Sequence, residues 1–137
     1  MRVVIDTNVL LVSISRKSQH HPIFNAIVTG KVELCISNAI LEEYQEIIAQ
    51  QWSPTMAQNI VDTLLKSPFV LRFDPRYNWV LINEDPDDDK FADCAVAASS
   101  HYLVTNDKHF NALKNRTFPP INIISAHDFL DILAKFP

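Results

Sequence analysis

A chain of 137 residues, 47% of them hydrophobic and 20% charged, with mean hydropathy +0.01, has the make-up of one soluble globular domain, taken here as residues 1–137. No apolar run approaches the roughly 20 residues of a membrane span, and a single glycine, Gly30, excludes the glycine-rich loops that cradle phosphates or dinucleotides. The net charge of −4 argues against a broad basic surface, yet acids are dense in Asp85-Pro86-Asp87-Asp88-Asp89, and bound divalent cations invert the sign of any site they join.

The chain opens on Met1-Arg2-Val3-Val4-Ile5-Asp6, a predicted strand over 2–6 with no charged-then-apolar leader, so the cytoplasm is the expected location. Helices over 8–14 and 21–29 follow, the second stopped by Gly30 before a strand at 32–36. Ser37 and Ser53 are placed to cap helices over 38–51 and 54–66. Between 68 and 84 the apolar runs Pro68 to Phe73 and Trp79 to Ile82 fit either a strand or an ordered loop. A helix over 89–100, strands at 101–105 and 121–124, and a helix over 126–135 capped by Ser125 complete the chain. Strands alternating with helices are the pattern of βαβ units, hence an α/β sandwich on a mainly parallel sheet. Cys35 and Cys94 each stand alone in an apolar stretch and are expected to be buried thiols, neither a disulfide nor a zinc site.

Such sheets present their chemistry at the carboxyl ends of strands. Asp6 stands at one such end, after a run suited to a strand buried on both faces; taken alone, it is equally well explained as a cap of the next helix. Thr105-Asn106-Asp107 stands at another. Adjacent strands lie about 4.8 Å apart, so Asp6 and Asp107 come within reach of one hard cation if their strands are neighbours. In the helix over 38–51 the apolar face comprises Ile40, Leu41, Tyr44, Ile47 and Ile48; Glu42 points away from it, and Glu43 sits at its border, able to turn inward. Asp93 lies in the almost wholly apolar Phe91-Ala92-Asp93-Cys94-Ala95-Val96-Ala97, where a carboxylate is costly unless paired or metal-bound. Asp89, one helical turn earlier, would repel it by roughly 0.2–0.5 kcal/mol unless a cation bridges them, though a helix-start acid favoured by the dipole explains it as well. The spacing of Asp85, Asp87 and Asp89 imitates a calcium loop but fails at once: Lys90 stands where the turn glycine belongs and Val96 where the closing Glu belongs. Carboxylates without His or Cys select Mg²⁺ or Mn²⁺ over zinc.

Four segments in order resemble the PIN domain family of ribonucleases, in particular its short bacterial and archaeal branch labelled as toxin components of toxin–antitoxin pairs. They are Val3 to Leu10, Ile36 to Tyr44, Asp85 to Ala97 and Leu103 to Lys108, together spanning almost the whole chain. The resemblance implies a three-layer α/β/α sandwich of about five parallel strands, Mg²⁺ or Mn²⁺ as cofactor, single-stranded RNA as substrate, an antitoxin protein as partner and frequent homodimers. Carried over, it makes Asp6, Glu43, Asp93 and Asp107 the metal-binding and catalytic acids, with Asp89 as a further candidate ligand. Asn8, Ser37, Asp88, Thr105 and Asn106 become supporting or substrate-side groups. Asn106 departs from the branch, which commonly has glycine there. Arg16, Lys17, His20 and His21 after the first motif, and Lys108, His109, Lys114 and Arg116 after the last, are candidates for steering a phosphate backbone, or solvated surface charges.

Two hydrolase alternatives fit less well. A haloacid-dehalogenase-like phosphatase wants a second Asp two residues after the first, where this chain has Asn8; a phosphate-receiver domain wants an acidic pair there. The alternative from another class is a PIN-like module that binds RNA or protein with little turnover. Trp52, Met56 and Ile60, beyond the first helix's core face, are the expected docking surface for a second subunit or an inhibitory peptide.

Overall fold

A computed structural model describes residues 1–75, 89–113 and 120–136. Asp85, Asp87, Asp88, the run from Trp79 to Ile82, Lys114 and Arg116 lie outside the described residues. Within them, five parallel strands form one sheet in the order β3-β2-β1-β4-β5. The strands are β1 (Arg2–Ile5), β2 (Glu33–Ile36), β3 (Val70–Arg72), β4 (Tyr102–Val104) and β5 (Ile123–Ile124). The helices are α1 (Thr7–Ile14), α2 (His21–Thr29), α3 (Asn38–Gln51), α4 (Pro54–Lys66), α5 (Asp89–Ala98) and α6 (Ala126–Lys135). The undecided segment after 68 thus supplies β3, a short edge strand.

The central strand explains the layering. Val3, Val4 and Ile5 are all fully buried, and successive strand side chains point to opposite faces, so both faces of the sheet are covered. From β1 the chain steps outward to β2 and β3, then returns through α5 to β4 on the other side of β1. The β1–β4 boundary is therefore the point where strand order reverses, the place where an open α/β sheet leaves a crevice at its strand ends. Helix α5 lies against β1, β2 and β4, and α3 packs on both α4 and α5.

Helix ends follow local chemistry. Ser37, Ser53 and Ser125 each accept a hydrogen bond from the backbone N–H three residues on, satisfying a donor that the helix leaves open. Gly30 closes α2 at φ +79°, and a β-carbon there would also run into the Phe69 ring. Helix α5 ends two residues before the predicted boundary because Ser99 turns left-handed at φ 50°, letting Ser99 and Ser100 N–H groups close on Val96 and Ala95. Cys35 and Cys94 are free and buried, and burial lifts their thiols to about 11 and about 12.

The expected docking surface is corrected. Ile60 is 7% exposed and belongs to the core, with Met56 packed against that core, because α4 turns this face onto its neighbours. Trp52 alone of the three stays exposed. No helix among the described residues is long and apolar enough to cross a membrane.

Candidate active site

The strand ends supply the first half of the site. Register pairs Ile5 with Val104, so Asp6 and Thr105 leave their strands side by side, and the Asp6 N–H donates to the Val104 carbonyl at 3.0 Å. Asp6 is 6% exposed. Its Oδ2 accepts from the Thr105 hydroxyl at 2.7 Å, and the same hydroxyl accepts the Asp107 N–H at 3.0 Å. Asp6 stands at the N-cap position of α1, but its side chain makes no capping hydrogen bond; the nearby Asn8 N–H only eases its charge. Asp6 thus occupies the cap position, with the Asn8 N–H favouring its charge, and also faces Thr105 at the end of the neighbouring strand.

Burial raises the Asp6 carboxyl above its ordinary value; the Thr105 hydrogen bond opposes this, while the charges of Glu43 and Asp107 push it further up. Asp6 thus feels the charges of both other acids. Asp107 is held by the turn after β4, its Oδ1 accepting from the His109 N–H at 2.9 Å with the His109 ring Nδ1 3.4 Å away. The Oδ1 of Asn106 is engaged elsewhere, accepting from the Ala126 N–H at the start of α6 at 3.0 Å.

The helices supply the second half. Glu42 is exposed and Glu43 half-buried, as their angles around α3 predict. Glu43 Oε2 accepts from the Thr7 hydroxyl, and Oε1 accepts from Lys90 Nζ at 2.7 Å. Next to Glu43, the fully buried Tyr44 donates its hydroxyl to the Ile5 carbonyl, tying α3 to the strand that ends at Asp6. Asp93 is buried on α5 at 5% exposure, and Asp89 is half-buried in the first turn of that helix. Ser37 is buried and serves as the α3 cap; Asn8 is exposed on the first turn of α1.

The candidate acids do not close into a tight set. Among the described residues only His127, Asp128 and Asp131, exposed on α6, bring three ligand atoms within 4.8 Å of one another. Asp6, Glu43, Asp93 and Asp107 are spaced more widely. Of the candidate steering groups, Arg16, Lys17 and Lys108 are exposed, whereas the His21 ring is used structurally, with Nδ1 3.0 Å from the Ser13 carbonyl.

Two participants escape sequence reasoning. Thr7 lies in the first motif, with nothing in its spacing to single it out. Lys90 reads only as the residue that spoils a calcium loop, yet it precedes Asp93 by three positions and so shares its side of α5.

The fold has counterparts in known structures. The VapBC2 complex of Rickettsia felis bound to a DNA fragment from their promoter is 20% identical over 91% of this chain and 98% of that one, at a TM-score of 0.62. DNA-bound VapBC from Salmonella typhimurium is 19% identical over 92% and 98%, at 0.57. FitAcB from Neisseria gonorrhoeae is 15% identical over 91% and 98%, at 0.58. At such identities the likeness establishes the fold alone. Among curated proteins none is similar enough in sequence to match. Residues 2–109 match the PIN domain family, and the chain belongs to it.

Proposed function

We propose that this chain is a metal-dependent endoribonuclease that hydrolyses phosphodiester bonds of single-stranded RNA. Asp6, Glu43, Asp93 and Asp107 are its metal-holding acids, and Asp89 is an additional ligand. The observation that carries the reading is Asp6 itself. It is a buried carboxyl at the strand-order reversal, with burial and two neighbouring acids all working against its charge. A cation in the crevice relieves all three at once.

The residues fit a hard cation in donor chemistry, since the set is carboxylate oxygen throughout. An ion such as Mg²⁺, which keeps several of its own waters, needs only some of these acids as direct ligands. Mg²⁺ or Mn²⁺ bound there would polarise the phosphodiester and activate water for hydrolysis. The protein's own contribution is positioning. Thr105 orients Asp6 and steadies the Asp107 turn, Thr7 and Lys90 hold the two oxygens of Glu43, and the His109 N–H holds Asp107. Lys108 and Arg16, both exposed, are placed for a phosphate backbone by charge alone.

Partners follow the same family reading. The segment resemblance to toxin components, together with the fold shared with VapBC and FitAcB complexes, supports a toxin role with an antitoxin protein as inhibitor. It also supports a homodimer and action in the cytoplasm. Light scattering on the purified chain tests the dimer, and a single-chain mass at all working concentrations overturns it.

The catalytic test uses single-stranded RNA with the purified protein. Cleavage is expected with Mg²⁺ or Mn²⁺, none in EDTA, and a loss of at least roughly a hundredfold in both Asp6→Ala and Asp93→Ala. Wild-type activity in both variants overturns the assignment. Tight RNA binding that survives EDTA without cleavage supports the binding-module alternative instead.

A further inference from the structure

Both oxygens of Glu43 carry a hydrogen bond, one from a neutral hydroxyl and one from a cation. The Thr7 hydroxyl takes Oε2, and the Lys90 ammonium takes Oε1 at 2.7 Å, the length of a charge-assisted hydrogen bond. Each side chain of the ion pair is only 22% exposed, so solvent and salt screen it less than a surface pair. The pair joins α3 to α5, which also carries Asp89 and Asp93.

We propose that Lys90 is the resident counter-ion of the acidic crevice: its ammonium holds Oε1 of Glu43 in the metal-free protein and has to be displaced when a divalent cation enters. It thereby sets the metal concentration at which the site fills. The inference rests on the reading of Glu43 and its neighbours as metal ligands. Three features support it. The Glu43 charge acts on Asp6, so a metal-free crevice needs a positive group, and Lys90 brings one to the acid on the helix side. An ammonium is a point charge on a flexible four-carbon stem, so it can withdraw while α5 stays packed against the sheet. Thr7 keeps Oε2, so Glu43 remains oriented after Lys90 leaves.

The direction of the effect separates this role from a structural one. A lysine that merely props Glu43 in place would weaken metal binding when removed. A competing counter-ion would strengthen it. The experiment compares wild type, Lys90→Met and Lys90→Arg by Mn²⁺ titration calorimetry and by thermal melting in EDTA and in Mn²⁺. Lys90→Met is expected to melt lower in EDTA, to bind Mn²⁺ roughly five- to tenfold more tightly, and to gain more from Mn²⁺ on melting. Lys90→Arg, which keeps the charge, is expected to stay near wild type. Equal or weaker Mn²⁺ binding by Lys90→Met overturns this inference and leaves the nuclease reading intact. Absence of Mn²⁺ binding in both proteins overturns the two together. A second readout needs no variant to fold: the ¹⁵N signal of the Lys90 ammonium in the wild-type protein should move to that of a solvated lysine on saturation with Mg²⁺. An ammonium signal unchanged at saturation overturns the displacement.

Discussion

The two halves of the crevice reach their geometry by different means. At the ends of β1 and β4 the positions of Asp6 and Thr105 follow from strand register, and the contact between them spans one hydroxyl. On the helix side, Glu43 is placed by groups from three separate elements: Thr7 on α1, Lys90 on α5, and Tyr44 beside it on α3 reaching back to β1. In the strand half the Asp6 charge is thus oriented by a neutral hydroxyl. The helix half carries one that is neutralised through a movable side chain. Rigidity and electrostatic cost gather at the sheet, and adjustability gathers at the helices.

The comparison breaks first at Tyr44. If its hydroxyl is what seats α3 against β1, Tyr44→Phe leaves the buried Ile5 carbonyl without that donor. A loss of about 1–3 kcal/mol in denaturant unfolding is then expected. A loss below about 0.3 kcal/mol would mean that apolar packing alone sets the α3 position.

A smaller effect, of opposite sign, sharpens the strand half. Asp6→Asn keeps an acceptor for Thr105 but removes the charge, so in EDTA it is expected to melt a few degrees above wild type at neutral pH while losing nuclease activity. The sign follows from the raised Asp6 carboxyl. With the folded-state value above the unfolded one, the cost of the anion is absent below about 3.8, where both states are protonated, and grows as pH rises through the folded-state value. The gain of Asp6→Asn should therefore shrink towards pH 3.8. A difference that does not change with pH would show that the charge is not its source.

Much of the fold was legible because local rules act locally. Three serines capped the helices they preceded, and Gly30 ended α2 where a left-handed residue was needed. Helical angles separated Glu42 from Glu43 because burial follows the apolar face. What was not legible depends on which strands and helices become neighbours. Alternation in sequence does not give strand order, so the adjacency of β1 and β4 stayed conditional until the sheet showed it. The short Val70-Leu71-Arg72, half-buried at its first two residues and exposed at the third, gave no clear alternation to separate strand from loop. Thr7 and Lys90 meet Glu43 across 36 and 47 residues of chain, and no spacing rule reaches that far. Ile60 was misjudged for the same reason, since its burial depends on how α4 sits against the rest of the core.

Thr105 has only one hydroxyl proton. The Asp107 N–H claims a lone pair on that oxygen, so the proton must point to Oδ2 of Asp6. Oδ2 is thereby an acceptor, and the hydroxyl fixes how the Asp6 carboxyl is turned. The strand end therefore presents a carboxyl whose rotation is set by a single hydroxyl, itself anchored by the turn that follows β4.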